Sequence, residues 1–318
     1  MVPGFAEVGQ NISAMLDPML ANAERDLFAP VMLRDLVAEG FVLPSLPEAF
    51  MRVSAQLEDE NCSVEQVARS IQTDPSITTR ILKLVNSSYY GLERQVSSVA
   101  QALEVLGREH CKHILLDSAV CGVFGDGEDP AFSMLAFWQH SIKTALIARQ
   151  LAGVCEFVDD PEVMFTAGLL HDIGKLLLIE RFPKQMLTAE ETMIRHRVDQ
   201  LSAELSQLGL THTAVGEALM EHWGLPEILI DCARRHHESV HDGRNRHATH
   251  LIYLANRLSE YQPPLDRGET IAILDDIENW NMNQIGIEHI AHACQRTDEL
   301  LFEVMESLGM VGPDIEDE

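Results

Sequence analysis

An imidazole and a carboxylate stand side by side in the apolar run Gly168-Leu169-Leu170-His171-Asp172-Ile173-Gly174-Lys175. On a helix, neighbouring side chains diverge by about 100°, so His171 and Asp172 could reach one divalent cation from the same side. Imidazole nitrogen with carboxylate oxygen suits iron, manganese or zinc better than calcium. Lys175 follows His171 by one turn on the same face, where its ammonium would meet an anion held by that cation. His140, His212, His236 and His237 are the further imidazoles available to complete a cluster.

Each of those histidines also has an ordinary structural reading. His140 shares an i, i+4, i+7, i+11 stripe with Thr144, Ile147 and Leu151, so it should point inward. A lone inward histidine is usually a hydrogen-bonded core residue. The same applies to His212, ahead of a helix, and to His222, beside Trp223. His236-His237, after Arg234-Arg235, also fits a helix end, where the dipole favours cations. Taken jointly around one His-Asp dyad, the set is expected to gather in space.

The elements that must position it are helical. Ser63 with Gln66 makes a capping-box pattern ahead of Val67 and Ile71. Asp74-Pro75 supplies an N-cap and a proline at the first helical position. A third helix runs from near Ser98 to a glycine stop at Gly107, and a fourth from about 109 to 123. Beyond the loop 125–130, helices are expected over about 131–153, 161–181, 184–208, 213–223, 226–237, 247–260, 268–276 and 286–308. The last carries Ile287, Ile290, Cys294, Thr297, Leu301, Val304 and Leu308, a stripe expected to pack on its own domain. Strand signals are absent. The expectation is an all-α, two-lobed helical bundle split near residue 127. An N-terminal helical extension would occupy 1–42, a main domain 43–260 (lobes about 43–124 and 131–260), further helices 261–310 and an acidic tail 311–318.

At 318 residues and 46% hydrophobic, the chain can bury a sizeable core. Its net charge of −27 opposes binding to nucleic acid or anionic membrane. Six scattered cysteines with no C-x-x-C pair suggest a reducing compartment. With no secretory signal pattern and no bilayer-length apolar run, a cytoplasmic protein is expected. Against the acidic background, Arg234, Arg235, Arg244, Arg246, His247 and His250 crowd one segment. Arg244 and Arg246 in particular are candidates for holding a phosphate-bearing ligand.

A longer series of motifs points to one family. The first half carries Leu43-Pro-Ser-Leu-Pro47, Ser63-Val-Glu-Gln66, Asp74-Pro75, Asn86-Ser-Ser-Tyr-Tyr-Gly91 and Leu106-Gly107. The second carries Trp138, His140, His171-Asp-Ile-Gly-Lys175, His212, Trp223-Gly-Leu-Pro226, His236-His237 and Ala255-Asn256. Over about 43–260 this series resembles the HDOD domain, a bacterial signalling relative of the HD phosphohydrolases. By themselves the first-lobe motifs read as caps and turns, not as catalysts. The resemblance implies metal ligation by His140, His171, Asp172, His212, His236 and His237. It also implies a departure at Asn256, where enzymatic HD proteins are expected to carry a second ligating aspartate. An amide offers only a neutral carbonyl oxygen there. Glu238 with Asp242-Gly243 is similar to the HD-GYP phosphodiesterase subclass, but Arg244-Asn245-Arg246 stands where Gly-Tyr-Pro would follow.

The resemblance therefore implies a regulatory, non-catalytic module that acts through a signalling protein partner or a small anion, with a divalent transition metal retained. The alternative is a metal-dependent phosphohydrolase or cyclic-nucleotide phosphodiesterase. In that case one or two metals would activate water beside Asp172, and Lys175 would stabilise the phosphate. An inert histidine scaffold is the third reading.

Overall fold

Local side-chain bonds start several of the helices. In the computed structural model, which describes residues 43–124, 132–261, 267–275 and 277–310, Ser63 and Gln66 form the reciprocal capping box. Asp74 Oδ1 accepts the Ser76 and Ile77 N–H groups at 2.9 and 3.2 Å. The expected extension over 1–42, the loop 125–130 and the tail 311–318 lie outside the described residues. Among the described residues the fold is all-α, with no strand.

Among the described residues the chain forms two compact units, one drawn from 45–171 and 225–310, the other from 43–44 and 172–224. In the larger unit, α1 (Glu48–Glu58), α2 (Val64–Ile71) and α3 (Pro75–Val85) pack on α4 (Val99–Phe124). The α4 helix is broken at Gly107 (φ 83°), the expected glycine stop. Asn86 ends α3 by donating to the Leu82 and Val96 carbonyls, and Ser87 donates to that of Leu84.

The hub of the larger unit is α5 (Met134–Ala152), apolar over most of its circumference and therefore buried by neighbours all round. Against it pack α6 (Pro161–Leu170) and, further along the chain, the helices Arg246–Ser259 and Ile287–Ser307. Gly168 of α6 lies so near α5 that an added Cβ would fall 2.5 Å from Ala145 Cα. The stripe of Ile287–Ser307 is covered as expected, with Ile290, Cys294, Thr297 and Val304 buried and Leu301 half-buried.

In the smaller unit, α7 (Ile173–Arg181) packs on α10 (His212–His222), and α8 (Pro183–His196) packs on α9 (Gln200–Leu208). Trp223 Nε1 donates to the Pro44 carbonyl at 2.7 Å, tying residue 44 to this unit. Returning to the larger unit, the chain adds α11 (Glu227–Arg235), α12 (Arg246–Ser259), α13 (Arg267–Asp275) and α14 (Ile287–Ser307).

Two helices expected to be continuous are divided. The 161–181 helix breaks at the dyad itself, with Asp172 at φ −100°, ψ 7°. The cause is the His171 ring, whose Nδ1–H donates to the Gly168 carbonyl at 2.7 Å. That carbonyl is the one a continuing helix would give to the Asp172 N–H. The 184–208 helix breaks at Arg197, which is left-handed (φ 53°), and Asp199 then caps α9 through the Ser202 N–H.

Candidate metal centre

The larger unit holds a row of imidazoles. His140 Nε2 lies 3.3 Å from His171 Nε2. The His171 and His236 rings meet edge to face at 4.8 Å between centroids, and His236 and His237 follow at 4.3 Å. His171 and His236 are fully buried, while His140 and His237 are half-buried.

Hydrogen bonds on the far side of the His140, His171 and His236 rings fix their tautomers. His171 and His236 are both C-cap residues, and each ends its helix with the same ring-to-backbone bond. His236 Nδ1–H donates to the Ala233 carbonyl at 2.8 Å, as His171 does to Gly168. His140 Nδ1 lies 3.1 Å from Ser259 Oγ, whose own hydrogen goes to the Asn256 carbonyl at 2.7 Å. Thr144 also donates to Ser259 Oγ, so that oxygen is the acceptor for His140. In the neutral rings the Nε2 atoms of His140 and His171 are then both acceptors, and two acceptors at 3.3 Å favour a cation between them.

The smaller unit holds an acidic set of its own. His212 Nε2 lies 3.3 Å from Asp172 Oδ1, and Lys175 Nζ donates to Asp172 Oδ2 at 2.6 Å. Glu204 grips His212 twice, accepting its backbone N–H and its ring Nδ1–H, each at 2.8 Å. Burial alone would raise the Glu204 carboxyl, but its interaction with His212 and these hydrogen bonds outweigh it and hold the group below its ordinary range. The sequence places Lys175 to meet an anion; in the structure its ammonium is engaged by Asp172.

The His171–Asp172 dyad carries an imidazole and a carboxylate of a His/Asp set able to hold a metal. The donors fit a transition ion: neutral imidazoles with Nδ1–H pinned to an oxygen, plus a carboxylate. Sequence reasoning missed Glu204 and Ser259, which hold the His212 and His140 rings by hydrogen bonds. An acid in the apolar stripe Leu201, Glu204, Leu205, Leu208 was the signal for Glu204; none marked Ser259.

The remaining candidates are the arginines and Asn256. Arg244 is exposed and Arg246, also exposed, opens α12. Arg234 is paired with Asp231, and Arg235 donates to Glu238 at 2.9 Å, so both have acidic partners. Asn256 is 5% exposed on α12, one turn before the Ser259 that holds His140. No helix among the described residues is long and apolar enough to cross a membrane.

Comparison with known proteins agrees with the helical architecture. A solved HDOD domain protein of unknown function from Geobacter sulfurreducens superposes with a TM-score of 0.68 at 22% identity, covering 90% of this chain and 97% of its own. A Shewanella amazonensis protein provisionally named a phosphohydrolase gives 0.69 at 21%, covering 85% and 95%. One from Marinobacter aquaeolei, provisionally named a signal transduction protein, gives 0.62 at 22%, covering 95% and 68%. An uncharacterized protein of Treponema pallidum is 23% identical over 202 residues, and the match spans 63% of this chain but only 38% of that relative. The HDOD domain family matches residues 43–239, well over half of the sequence, and the chain belongs to that family.

Proposed function

We propose that this chain is a regulatory HDOD module that holds a divalent transition metal (iron, manganese or zinc) without turning over a substrate. His140, His171, Asp172, His212, His236 and His237 would be its ligands. When bound, the metal would supply Lewis acidity toward an anionic group. The chain's own residues set the rest. Gly168, Ala233, Ser259 and Glu204 fix the imidazoles, while Lys175 offsets the Asp172 charge.

The observation that carries the regulatory reading is how little carboxylate is left for activating water. Asp172 is already ion-paired with Lys175, and Glu204 is used up on His212. At the position where the family's enzymatic relatives are expected to add a carboxylate, α12 carries the amide of Asn256. Output would then pass to a signalling protein in trans or depend on a phosphate-bearing ligand, with the exposed Arg244 and Arg246 as its first contacts. The net charge of −27 disfavours nucleic acid and membrane as partners, and six unpaired cysteines suit the cytoplasm.

The test is metal analysis of the purified full chain, with hydrolysis assays on simple phosphodiesters and cyclic dinucleotides. Metal without turnover is the expected result. Turnover that disappears in Asp172→Ala would overturn the regulatory reading, and absence of tightly held metal would overturn the ligand assignment.

A further inference from the structure

Three helices and one loop of the larger unit bury a second group of ionisable side chains. On α6, Glu162 and Thr166 lie one turn apart, and both are buried. On α4, which packs on α6, His113 and Asp117 have the same spacing. Tyr89 and Tyr90, ahead of α4, both donate to Glu162 Oε2 at 3.2 Å. Arg149 of α5 donates to Glu162 Oε1 at 2.6 Å, and its guanidinium lies over the Tyr89 ring.

The group thus has two acids and one cation, and the cation is committed to Glu162. Asp117 is 1% exposed, and its Oδ1 has no hydrogen-bond partner. Among the described residues no second cation bonds to it. Arg80 of α3 is engaged by the Ser118 carbonyl at 2.8 Å. The buried faces of α1 and α2, which also pack on α4, are apolar, and burial keeps the Cys121 thiol neutral. An ionised carboxylate here would cost more than a neutral one, so Asp117 is held as the acid. Burial, with Glu162 nearby, raises its carboxyl well above the ordinary range.

Thr166 gives this acid a route to solvent. Its Oγ1 lies 3.2 Å from His113 Nδ1 and also hydrogen-bonds the Asp117 carboxyl. Of the three groups only His113 is partly exposed. With Asp117 neutral, its O–H donates to Thr166, and the Thr166 O–H donates to His113 Nδ1. Moving one proton along this line leaves Asp117 ionised and His113 as an imidazolium, which then gives its Nε2 proton to water. Burial and His110 hold His113 below its ordinary value against the pull of Asp160, Glu109 and Glu162, so the charge does not stay there.

We propose that His113, Thr166 and Asp117 form a proton-operated latch between α4 and α6, closed while Asp117 is neutral and released as rising pH ionises it. Above the ordinary carboxylate value of about 3.9, each pH unit favours a loosened form with Asp117 hydrated by tenfold over the closed one. None of the three is a proposed metal ligand, so the inference stands apart from the metal reading.

Two measurements on the full chain test it. At about pH 7 ordinary carboxyls are ionised, so the infrared spectrum of the wild type should show a neutral-acid carbonyl band that fades as pH rises. Asp117→Asn should remove the band. Thr166→Val should carry its fading to higher pH, because the carboxylate loses a donor. Hydrogen exchange of α4 and α6 peptides, taken as the ratio of wild type to Asp117→Asn, cancels the intrinsic pH dependence. That ratio should climb by up to tenfold per pH unit between about pH 6 and about pH 9, while α8 and α9 peptides keep a constant ratio. A wild type without the band, or a band that survives Asp117→Asn, overturns the proposal. So does an exchange ratio that stays flat across the range. Fading unmoved by Thr166→Val would overturn the route through Thr166.

Discussion

Replacing Gly174 with alanine should loosen the smaller unit at the point where it presents His212. An added methyl would sit 2.0 Å from the His212 carbonyl oxygen and 2.6 Å from the Gly216 nitrogen. Ordinary contact begins at 3.4 Å, so α7 and α10 would have to part by about 1.4 Å. Both obstructing atoms are backbone, so no side chain can rotate away. Overpacking of this kind costs about 3 kcal/mol, and the better helix propensity of alanine returns about 1 kcal/mol. The net loss of about 2 kcal/mol is a large part of a typical domain's stability. Urea unfolding followed by far-ultraviolet circular dichroism would measure it. Gly122→Ala is the control, since its methyl meets only the Arg80 guanidinium at 3.5 Å and should be neutral or slightly stabilising. The same displacement moves His212 relative to Asp172, now 3.3 Å apart, so metal affinity should fall at least tenfold in a calorimetric titration. A Gly174→Ala protein as stable as the wild type, with unchanged metal affinity, would refute the close-approach argument.

Other substitutions probe the supporting groups. Glu204→Gln keeps the shape but weakens the hold on the His212 ring, and should cost about 10- to 100-fold in metal affinity by titration. Asn256→Asp adds a carboxylate beside the ring support of His140; it should lower the melting temperature in chelator and increase the stabilisation given by manganese or iron. Burial pushes His250 down to about 4, while its unfolded value stays near 6.5. The unfolded chain then binds the extra proton first, so stability should be intact above about pH 6.5 and fall by about 3 kcal/mol as pH drops toward 4. His250→Gln should flatten that stretch of the urea-midpoint profile. Asp117, 1% exposed on α4, has its carboxyl raised well above the ordinary range by burial. Its contribution is greatest at low pH and is lost as pH rises, so Asp117→Asn should be at least as stable as wild type at pH 8 by thermal melts.

What the sequence disclosed, and what it concealed, divides along the range of the interactions. The capping box of Ser63 and Gln66, the Asp74-Pro75 start and the Gly107 stop were legible because each rests on bonds or backbone angles within a few residues. The histidine row was legible only jointly, since each ring alone also fitted an ordinary core or helix-end position. The break at the dyad is equally local, yet hydrophobic periodicity could not reveal it. Apolar residues continue on both sides of His171, and the stop depends on its ring taking the Gly168 carbonyl from the backbone. His236 does the same with Ala233, so the sequence records both histidines but not that they end their helices. Ser259 and Glu204 were hidden for a different reason. Ser259 reaches a ring 119 positions away, and Glu204 reaches one eight positions away across a helix boundary; neither distance carries a period. Candidate ligand types can thus be proposed from residue identity, but the tautomer and aim of the rings are set by acceptors that only the folded chain brings near. That is why the proposed metal centre is tested most sharply at Glu204, Gly174 and Asn256, which are not among the proposed ligands.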